Sequence, residues 1–199
     1  PGSTLDVDTS SGSVTITGTE GTECSVSATI TARAPTEEEA QELGEQVKIR
    51  LEQAGETLKV RADKPKPGNN RSISVSFAIT APQQTNVQCH SAYGSLELAN
   101  LEGTVNAKTG SGSIEAENIQ GTTNLDTSYG SITCHNVVGQ EVTLHSGSGS
   151  ITANDIKGTA RMDSSYGSVK CERFSDGDLS LASGSGRITV ADAITYTPG

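Results

Sequence analysis

A glycine followed by serine recurs at nearly constant spacing through the second half of the chain, and this repeat constrains the fold more than any other feature. Successive copies are separated by 18, 18, 19, 18 and 19 residues. The copies are Gly94-Ser95, Gly112-Ser113, Gly130-Ser131, Gly149-Ser150, Gly167-Ser168 and, with arginine replacing serine, Gly186-Arg187. A fixed period of this length indicates that each structural unit stacks on the next.

Apolar side chains alternate with polar ones at fixed distances from each repeated glycine, which is typical of strands with one buried face. The pairs before the glycine are Val87/Cys89, Val105/Ala107, Thr123/Leu125, Val142/Leu144, Ala160/Met162 and Leu179/Leu181. The pairs after it are Leu96/Leu98, Ile114/Ala116, Ile132/Cys134, Ile151/Ala153, Val169/Cys171 and Ile188/Val190. A third apolar position holds Leu101, Ile119, Val137, Ile156 and Phe174.

One such coil cannot bury its own apolar face, so successive coils must stack in register at about 4.8 Å. Equivalent strands of stacked coils are parallel. The repeat therefore predicts an all-β fold, a parallel β-helix (β-solenoid) of about 18-residue coils. We expect it to be right-handed, because crossovers between parallel strands have that hand as a rule. A left-handed hexapeptide helix fits poorly, since the apolar positions do not recur every six residues.

The first residues repeat the pattern of one coil. Leu5/Val7 precede Ser11-Gly12-Ser13, and Val14/Ile16 follow. We therefore expect one domain, in which residues 1–18 form a first coil, residues 19–84 a capping insertion and residues 85–193 a six-coil solenoid.

The insertion reads as a small antiparallel sheet with one short helix. Thr36 and Glu39 are spaced as a helix-starting capping box, and Gly44 can end the helix. The alternating stretches on either side of Ala54-Gly55 predict a hairpin. Such a cap would cover the N-terminal edge of the solenoid, and we expect Arg187, Asp192 and Pro198 to blunt the other edge.

The charge of the chain limits its partners. The net charge is −10 at pH 7, so a nucleic-acid backbone would be repelled. No apolar run reaches the roughly 20 residues that a transmembrane helix needs. Because the chain begins at Pro1 without methionine, we expect a trimmed or mature chain whose export signal lies elsewhere.

The four cysteines do not predict a metal site. They include no CxxC pair. Cys134 and Cys171 occupy one position two coils apart, about 9.6 Å, which is beyond disulfide reach. We expect buried thiols that fill space, with a Cys24–Cys89 bridge left open.

Neither the histidines nor the carboxylates predict chemistry. His90, Lys108, Asp126, His145 and Asp163 fall at one outward position, where stacking spreads them in a line rather than converging on a metal. Glu97 with Glu115, or Asp126 with Asp163, are candidate carboxylate pairs for glycoside cleavage. No long loop interrupts the coils to build a cleft, so we expect no catalytic residues, no metal and no cofactor.

Tyrosine and serine alternate immediately before the repeated glycines. Tyr93, Tyr129 and Tyr166 occupy alternate coils, with Ser111, Ser148 and Ser185 in the others. Aromatic residues at regular spacing could stack on sugars or anchor a protein partner. The alternative is that each ring only covers a glycine-rich corner. The three tyrosines are the candidate binding residues.

The chain resembles the bacterial putative adhesin family of β-solenoid domains of unknown function. The resemblance rests on the opening Pro1-Gly2, the Leu5-Asp6-Val7 strand, Ile79-Thr80-Ala81-Pro82 and the recurrent Ser-Gly-Ser-Ile coils. It implies export or attachment at the cell surface, and it carries over no catalytic residue. The tyrosines of alternate coils depart from the family's Ser-Gly pattern.

These observations favour a noncatalytic, adhesin-like binding or structural domain that is exported to the periplasm or the cell surface, with a glycan or a protein at the cell surface as its partner. Two alternatives remain open. One is a carbohydrate-active β-helix enzyme, a polysaccharide lyase or hydrolase. The other is a scaffold that self-assembles through the ends of the solenoid.

Overall fold

The computed structural model describes residues 2–192. Pro1, the expected solenoid end at Ala193 and the expected edge-blunting Pro198 lie outside the described residues. These described residues include one helix, α1 (Glu37–Glu45). The strands are β1 (Thr4–Ser11), β2 (Val14–Thr19), β3 (Ser25–Arg33), β4 (Lys48–Ala54), β5 (Thr57–Asp63), β6 (Ser72–Pro82), β7 (Asn86–Tyr93), β8 (Leu96–Glu102), β9 (Val105–Thr109), β10 (Ile114–Gln120), β11 (Thr123–Thr127), β12 (Ile132–Ser146), β13 (Ile151–Ser164), β14 (Val169–Ser175), β15 (Leu179–Ser183) and β16 (Ile188–Ala191).

The strands stack as parallel ladders, which confirms the predicted β-solenoid. One ladder runs β1, β7, β9, β11, β12, β13 and β15. The other runs β2, β8, β10, β12, β13, β14 and β16. β12 and β13 belong to both because each passes from one face to the other without a break.

A narrow apolar core fills the interior between the ladders. Leu96, Ile114, Ile132, Ile151 and Val169 form one column in register, and each has no exposed surface. The third apolar position, from Leu101 to Phe174, is buried in the same way. Removing such apolar surface from water contributes about 25 cal/mol per Å² and is the main contribution to the stability of the fold.

The insertion extends the solenoid as well as closing it. β5 pairs parallel with β1, and β6 pairs parallel with β2, so the two form a further coil beyond the chain's first one. The outer strands β4 and β3 then pair antiparallel with β5 and β6. The predicted hairpin at Ala54-Gly55 is confirmed, whereas the parallel contact of β5 with β1 was not predicted.

The helix begins where the sequence indicated. The Thr36 hydroxyl accepts a hydrogen bond from the Glu39 N–H at 3.3 Å. The Glu39 carboxylate, however, pairs with Arg71 at 3.0 Å, so it is committed to an ion pair instead of the return bond of a capping box. The helix also runs through Gly44 to Glu45, past the predicted stop.

The last coil departs from the predicted pattern of buried side chains. Ile188 and Val190, expected to face the core, are 44% and 45% exposed. Leu179 and Leu181 are only partly buried. Within residues 2–192, β15 and β16 pair on one side only, because no described coil follows them.

Candidate binding edge

A column of buried hydroxyls builds the corner that carries the tyrosines. Ser146 shows the arrangement: its Oγ donates to the Gly130 carbonyl oxygen of the preceding coil at 2.9 Å and accepts from the Gly149 N–H at 2.8 Å. Thr127, Ser164 and Ser183 make the same two bonds. These four corners are therefore each tied both to themselves and to the coil before them, whereas Thr109 makes only the bond to the preceding coil and Ser91 makes neither.

The corner glycines are required because the coils approach too closely for a side chain. A Cβ added to Gly130 would overlap the carbonyl oxygen of Gly112, and one on Gly149 would overlap that of Gly130. Their backbone angles are ordinary, so close approach, and not a left-handed conformation, excludes other residues. The result is a rigid row of equivalent corners.

The three tyrosines project from this row. Tyr93, Tyr129 and Tyr166 are 67%, 75% and 72% exposed, so neighbouring coils leave most of each residue uncovered. The serines of the intervening coils, Ser111 and Ser148, are exposed too. We call these five residues the tyrosine edge. Their exposure argues against rings that only cover the corners.

The tyrosine edge is uncharged in a strongly acidic chain. The five residues centred on each member contain only Ala, Gly, Ser, Thr and Tyr. These segments are residues 91–95, 109–113, 127–131, 146–150 and 164–168. No hydrogen bond within the described residues uses a tyrosine hydroxyl, so each is available to a partner. The edge therefore offers apolar ring surface together with neutral hydroxyl groups.

Comparison with known families identifies the family to which this fold belongs. Residues 3–196 match the family described as Toastrack DUF4097. The chain belongs to that family. The match covers nearly all of the sequence, including the insertion, and it confirms the resemblance to a bacterial domain family of unknown function. The repeated corners are thus part of a Toastrack domain.

Two solved structures align with most of the chain at low sequence identity. A structure described as a putative adhesin from Bacteroides fragilis aligns with 96% of this Toastrack chain and 91% of its own, at a TM-score of 0.50 and 16% identity. One described as a putative cell adhesion protein from Clostridium sporogenes aligns over 98% and 93%, at a TM-score of 0.49 and 13% identity. No curated protein matches the chain.

The outward column predicted around His90 is present in this Toastrack domain. It begins at Asp8, whose carboxylate lies 3.4 Å from His90 Nδ1. It continues through Lys108, which pairs with Asp126 at 2.8 Å, and through His145, 3.9 Å from Asp163. Lys108 and Asp126, stacked neighbours of opposite charge, stabilise the ladder. Within residues 2–192 no group of three metal-ligating side chains could hold an ion.

The candidate catalytic carboxylates lie on flat faces. Glu97 and Glu115 are direct neighbours on β8 and β10, and Glu97 accepts a hydrogen bond from Thr15 at 3.2 Å. Asp126 and Asp163 lie two coils apart with His145 between them. Each aspartate is engaged by a basic side chain of the adjacent coil. The structure does not bring either pair into a cleft.

The thiols behave as space-filling groups with one exception. Burial raises the pKa of Cys89 and of Cys134 to about 12. Burial, with the nearby Glu172 carboxylate, raises that of Cys171 to about 11. All four cysteines are free, so the Cys24–Cys89 bridge left open by the sequence does not form. Cys24 is exposed and lines a groove of about 570 Å³ between the segment that precedes β3 and the β4–β5 turn.

Sequence reasoning missed a left-handed column on another corner. Six residues there have φ between 52° and 57°. They are Asn100, Asn118, Asn136, Asp155, Arg173 and Asp192. Asn118 Nδ2 donates to Asn100 Oδ1 at 3.0 Å, and Asn136 Nδ2 donates to Asn118 Oδ1 at 2.8 Å. The recurrence of asparagine at an 18-residue spacing was the available signal.

The asparagine ladder ends in an ion pair. Arg173 donates twice to Asp155, at 2.6 and 2.8 Å, and this hydrogen bonding holds the pKa of Asp155 below its usual range. His135 Nδ1 lies 3.4 Å from the same carboxylate, beside a groove of about 450 Å³. The Asp155 carboxylate thus contacts two basic side chains. These contacts stabilise the turn at this corner.

No helix among the described residues has the length and apolar character that crossing a membrane requires.

Proposed function

We propose that this Toastrack domain is a noncatalytic binding domain displayed at the bacterial cell surface, and that the tyrosine edge is its contact surface. The observation that carries the proposal is the exposure of Tyr93, Tyr129 and Tyr166, each 67% or more, on a rigid, uncharged edge. Exposed aromatic residues on a preorganised scaffold are the usual anchors of binding surfaces.

Two further observations support this proposal. The corners that carry Tyr129 and Tyr166 are fixed by paired hydrogen bonds, so little conformational entropy is lost there when a partner binds. The structural neighbour from Bacteroides fragilis carries the name of an adhesin, which supports a binding role at the cell surface. A partner there could be a glycan or a protein.

A triple variant tests the proposal. Tyr93, Tyr129 and Tyr166 are replaced by serine, the residue that the alternate coils already carry. Wild type and variant are compared on a glycan array and on an array of extracellular proteins. We expect ligands of the wild type to be lost from the variant. Circular dichroism should show an unchanged fold, since the serine coils stack equally well.

The matched control replaces the same residues by phenylalanine, which keeps the ring surface and should keep most binding. A folded serine variant that retains every ligand of the wild type would refute the tyrosine edge as the contact surface. Turnover of a polysaccharide that is abolished by Glu97→Gln or Glu115→Gln would instead establish the enzyme alternative.

Self-association through the C-terminal coil is a second candidate function. The observation that favours it is the exposure of Ile188 and Val190 on strands that are paired on one side only within residues 2–192. Such an edge can pair with another chain. Light scattering over a range of concentrations should show a dimer, and Val190→Lys should shift it to a monomer. A wild type that is monomeric at every concentration would exclude this candidate.

A further inference from the structure

The rise of the tyrosine edge selects a class of ligand. Corner residues of adjacent coils lie about 4.8 Å apart, so tyrosines in alternate coils lie about 9.6 Å apart. Tyr93 to Tyr166 then spans four coils, or about 19.2 Å. The hydrogen bond from the Tyr129 N–H to the Gly110 carbonyl oxygen, at 3.2 Å, holds this corner in the stack.

The spacing creates two equivalent slots. Between Tyr93 and Tyr129 the corner is Gly110-Ser111-Gly112, and between Tyr129 and Tyr166 it is Gly147-Ser148-Gly149. Glycine and serine leave the floor of each slot low, whereas an exposed tyrosine stands on either side. Each slot can accept one small apolar group between two tyrosines.

A polyproline II helix repeats at the same distance. It has three residues per turn and a rise of about 3.1 Å per residue, so every third side chain recurs at about 9.3 Å. Two turns span about 18.6 Å, which differs from the span of the three tyrosines by about 0.6 Å. Prolines three residues apart would therefore meet both slots in register.

Other peptide conformations do not keep this register. In a β-strand, side chains on one face recur at about 6.8 Å, well short of the slot spacing. In an α-helix, seven residues advance about 10.5 Å, which exceeds the slot spacing by about 0.9 Å at each repeat. A helix also rotates by about 20° per seven residues, which turns the second side chain away from its slot.

The chemistry of the edge agrees with a proline-rich peptide. Proline has no N–H, and a polyproline II backbone makes no internal hydrogen bonds, so the peptide presents carbonyl acceptors that need donors. The free hydroxyls of the tyrosines, with Ser111 and Ser148, can donate.

We infer that the tyrosine edge binds a proline-rich segment in the polyproline II conformation, with prolines at positions i and i+3 seated in the slots between Tyr93 and Tyr129 and between Tyr129 and Tyr166. This inference rests on the proposed function of the edge as a contact surface. It adds the conformation, the spacing and the register of the ligand. Aromatic-lined grooves are a recurring means of binding this conformation.

The probe is a fluorescein-labelled peptide with proline at every third position, and fluorescence anisotropy measures its binding to the full chain. A peptide of identical composition, permuted so that no two prolines are three apart, is the matched control. We expect the regular peptide to bind at least about tenfold more tightly, because the permuted peptide can fill only one slot at a time. Equal affinities would overturn the inference.

Two variants test the slots themselves. Tyr129→Ser removes the ring that both slots share, so it should weaken binding more than Tyr93→Ser does. Ser111→Tyr fills one slot while adding aromatic surface, so it should weaken the regular peptide. Stronger binding by Ser111→Tyr would indicate nonspecific aromatic adhesion and would overturn the inference. Leu51→Ser, at an exposed apolar residue of β4, should change nothing.

Two binding results would separate the polyproline ligand from the tyrosine edge as a contact surface. A glycan or a folded protein that binds through the tyrosines, with no binding of the proline peptide, would leave the contact surface standing and overturn the polyproline ligand. Folded Tyr→Ser variants that lose no ligand of any class would overturn both.

Discussion

The hydroxyl of Thr127 donates a 2.9 Å hydrogen bond to the carbonyl oxygen of Gly112, one coil earlier in the chain. The hydroxyl oxygen of Thr127 also accepts a hydrogen bond from the Gly130 N–H at 3.1 Å. Thr127 has no exposed surface, so water cannot replace either bond. One buried side chain therefore fixes its own corner and the distance to the coil before it.

Replacing Thr127 by valine keeps the volume and removes both bonds. We expect the free energy of unfolding to fall by about 2–3 kcal/mol, because a buried N–H and a buried carbonyl are left without a partner. Urea denaturation measures the change. Thr127→Ser is the control, since serine makes the same bonds in the following coils, and it should cost much less. Equal losses for valine and serine would show that the hydroxyl is not what matters.

Gly130 is expected to tolerate no side chain because of the close approach of the neighbouring coil. A Cβ at this position would overlap the backbone of Gly112, which cannot move without disturbing a second coil. We expect Gly130→Ala to destabilise the fold by at least about 1–3 kcal/mol, the usual cost of overpacking. Gly68→Ala is the control, because nothing lies within 4 Å of its added Cβ. Similar thermal midpoints for both variants would contradict the stacking argument.

The sequence predicts the solenoid well because stacking repeats the same requirement in every coil. A column such as Ile114, Ile132 and Ile151 repeats the same apolar residue at each period, so the register of its strands follows from aligning the sequences of the coils. The sequence of β5 carries no such repeat. Leu58 and Val60 alternate with polar residues as in any hairpin. Their parallel pairing with Leu5 and Val7 depends on tertiary contacts between strands that are far apart in the sequence.

The left-handed column was not predicted from the sequence, for a different reason. Asn100, Asn118 and Asn136 have a side chain that tolerates positive φ, but the same position continues as Asp155 and then Arg173. Arginine is not enriched at positive φ, so the residue pattern breaks while the backbone pattern continues. The tyrosine edge was predicted in position. Its exposure depends on how far neighbouring corners reach, which no periodicity encodes.

Asn118 provides a test of that column. Its φ of 54° is strained for a β-branched residue, and its amide donates to Asn100 and accepts from Asn136. We expect Asn118→Val to lower the free energy of unfolding by at least about 1–2 kcal/mol from the backbone conformation alone. Asn118→Gly loses the hydrogen bonds but keeps the conformation, so it should cost less. A valine variant as stable as the glycine variant would show that the backbone is not strained.

The Asp155–Arg173 pair should make the stability of the fold depend on pH in a specific way. Hydrogen bonding to Arg173 lowers the pKa of Asp155 in the folded chain, so the pair stabilises the fold above the unfolded pKa of about 3.9. That stabilisation is lost as the pH falls through the lower, folded value. Asp155→Asn keeps a residue that tolerates positive φ and removes the charge. We expect wild type to exceed this variant in thermal midpoint at pH 7, and the gap to narrow below about pH 4.

The control for this titration is Asp178→Asn, whose carboxylate joins no ion pair among the described residues. It should give no gap that narrows in the same window. A difference between wild type and Asp155→Asn that stays constant from pH 7 to acid pH would mean that the charge of Asp155 does not stabilise the turn.

The cysteines should react with a thiol reagent in two separate classes. Cys24 is exposed, whereas burial keeps the pKa of Cys89 and Cys134 at about 12 and that of Cys171 at about 11. Burial also raises the pKa of the Cys24 thiol, but this thiol is open to the reagent, whereas near pH 8 the three buried thiols are both protonated and covered, and only a thiolate reacts. We expect the native chain to be labelled at one site, detected as one added mass, and the urea-unfolded chain at all four. Cys24→Ser should abolish native labelling and leave three sites after unfolding. Rapid labelling of a second site in the native chain would show that a coil opens locally, which the continuous ladder of corner hydrogen bonds argues against.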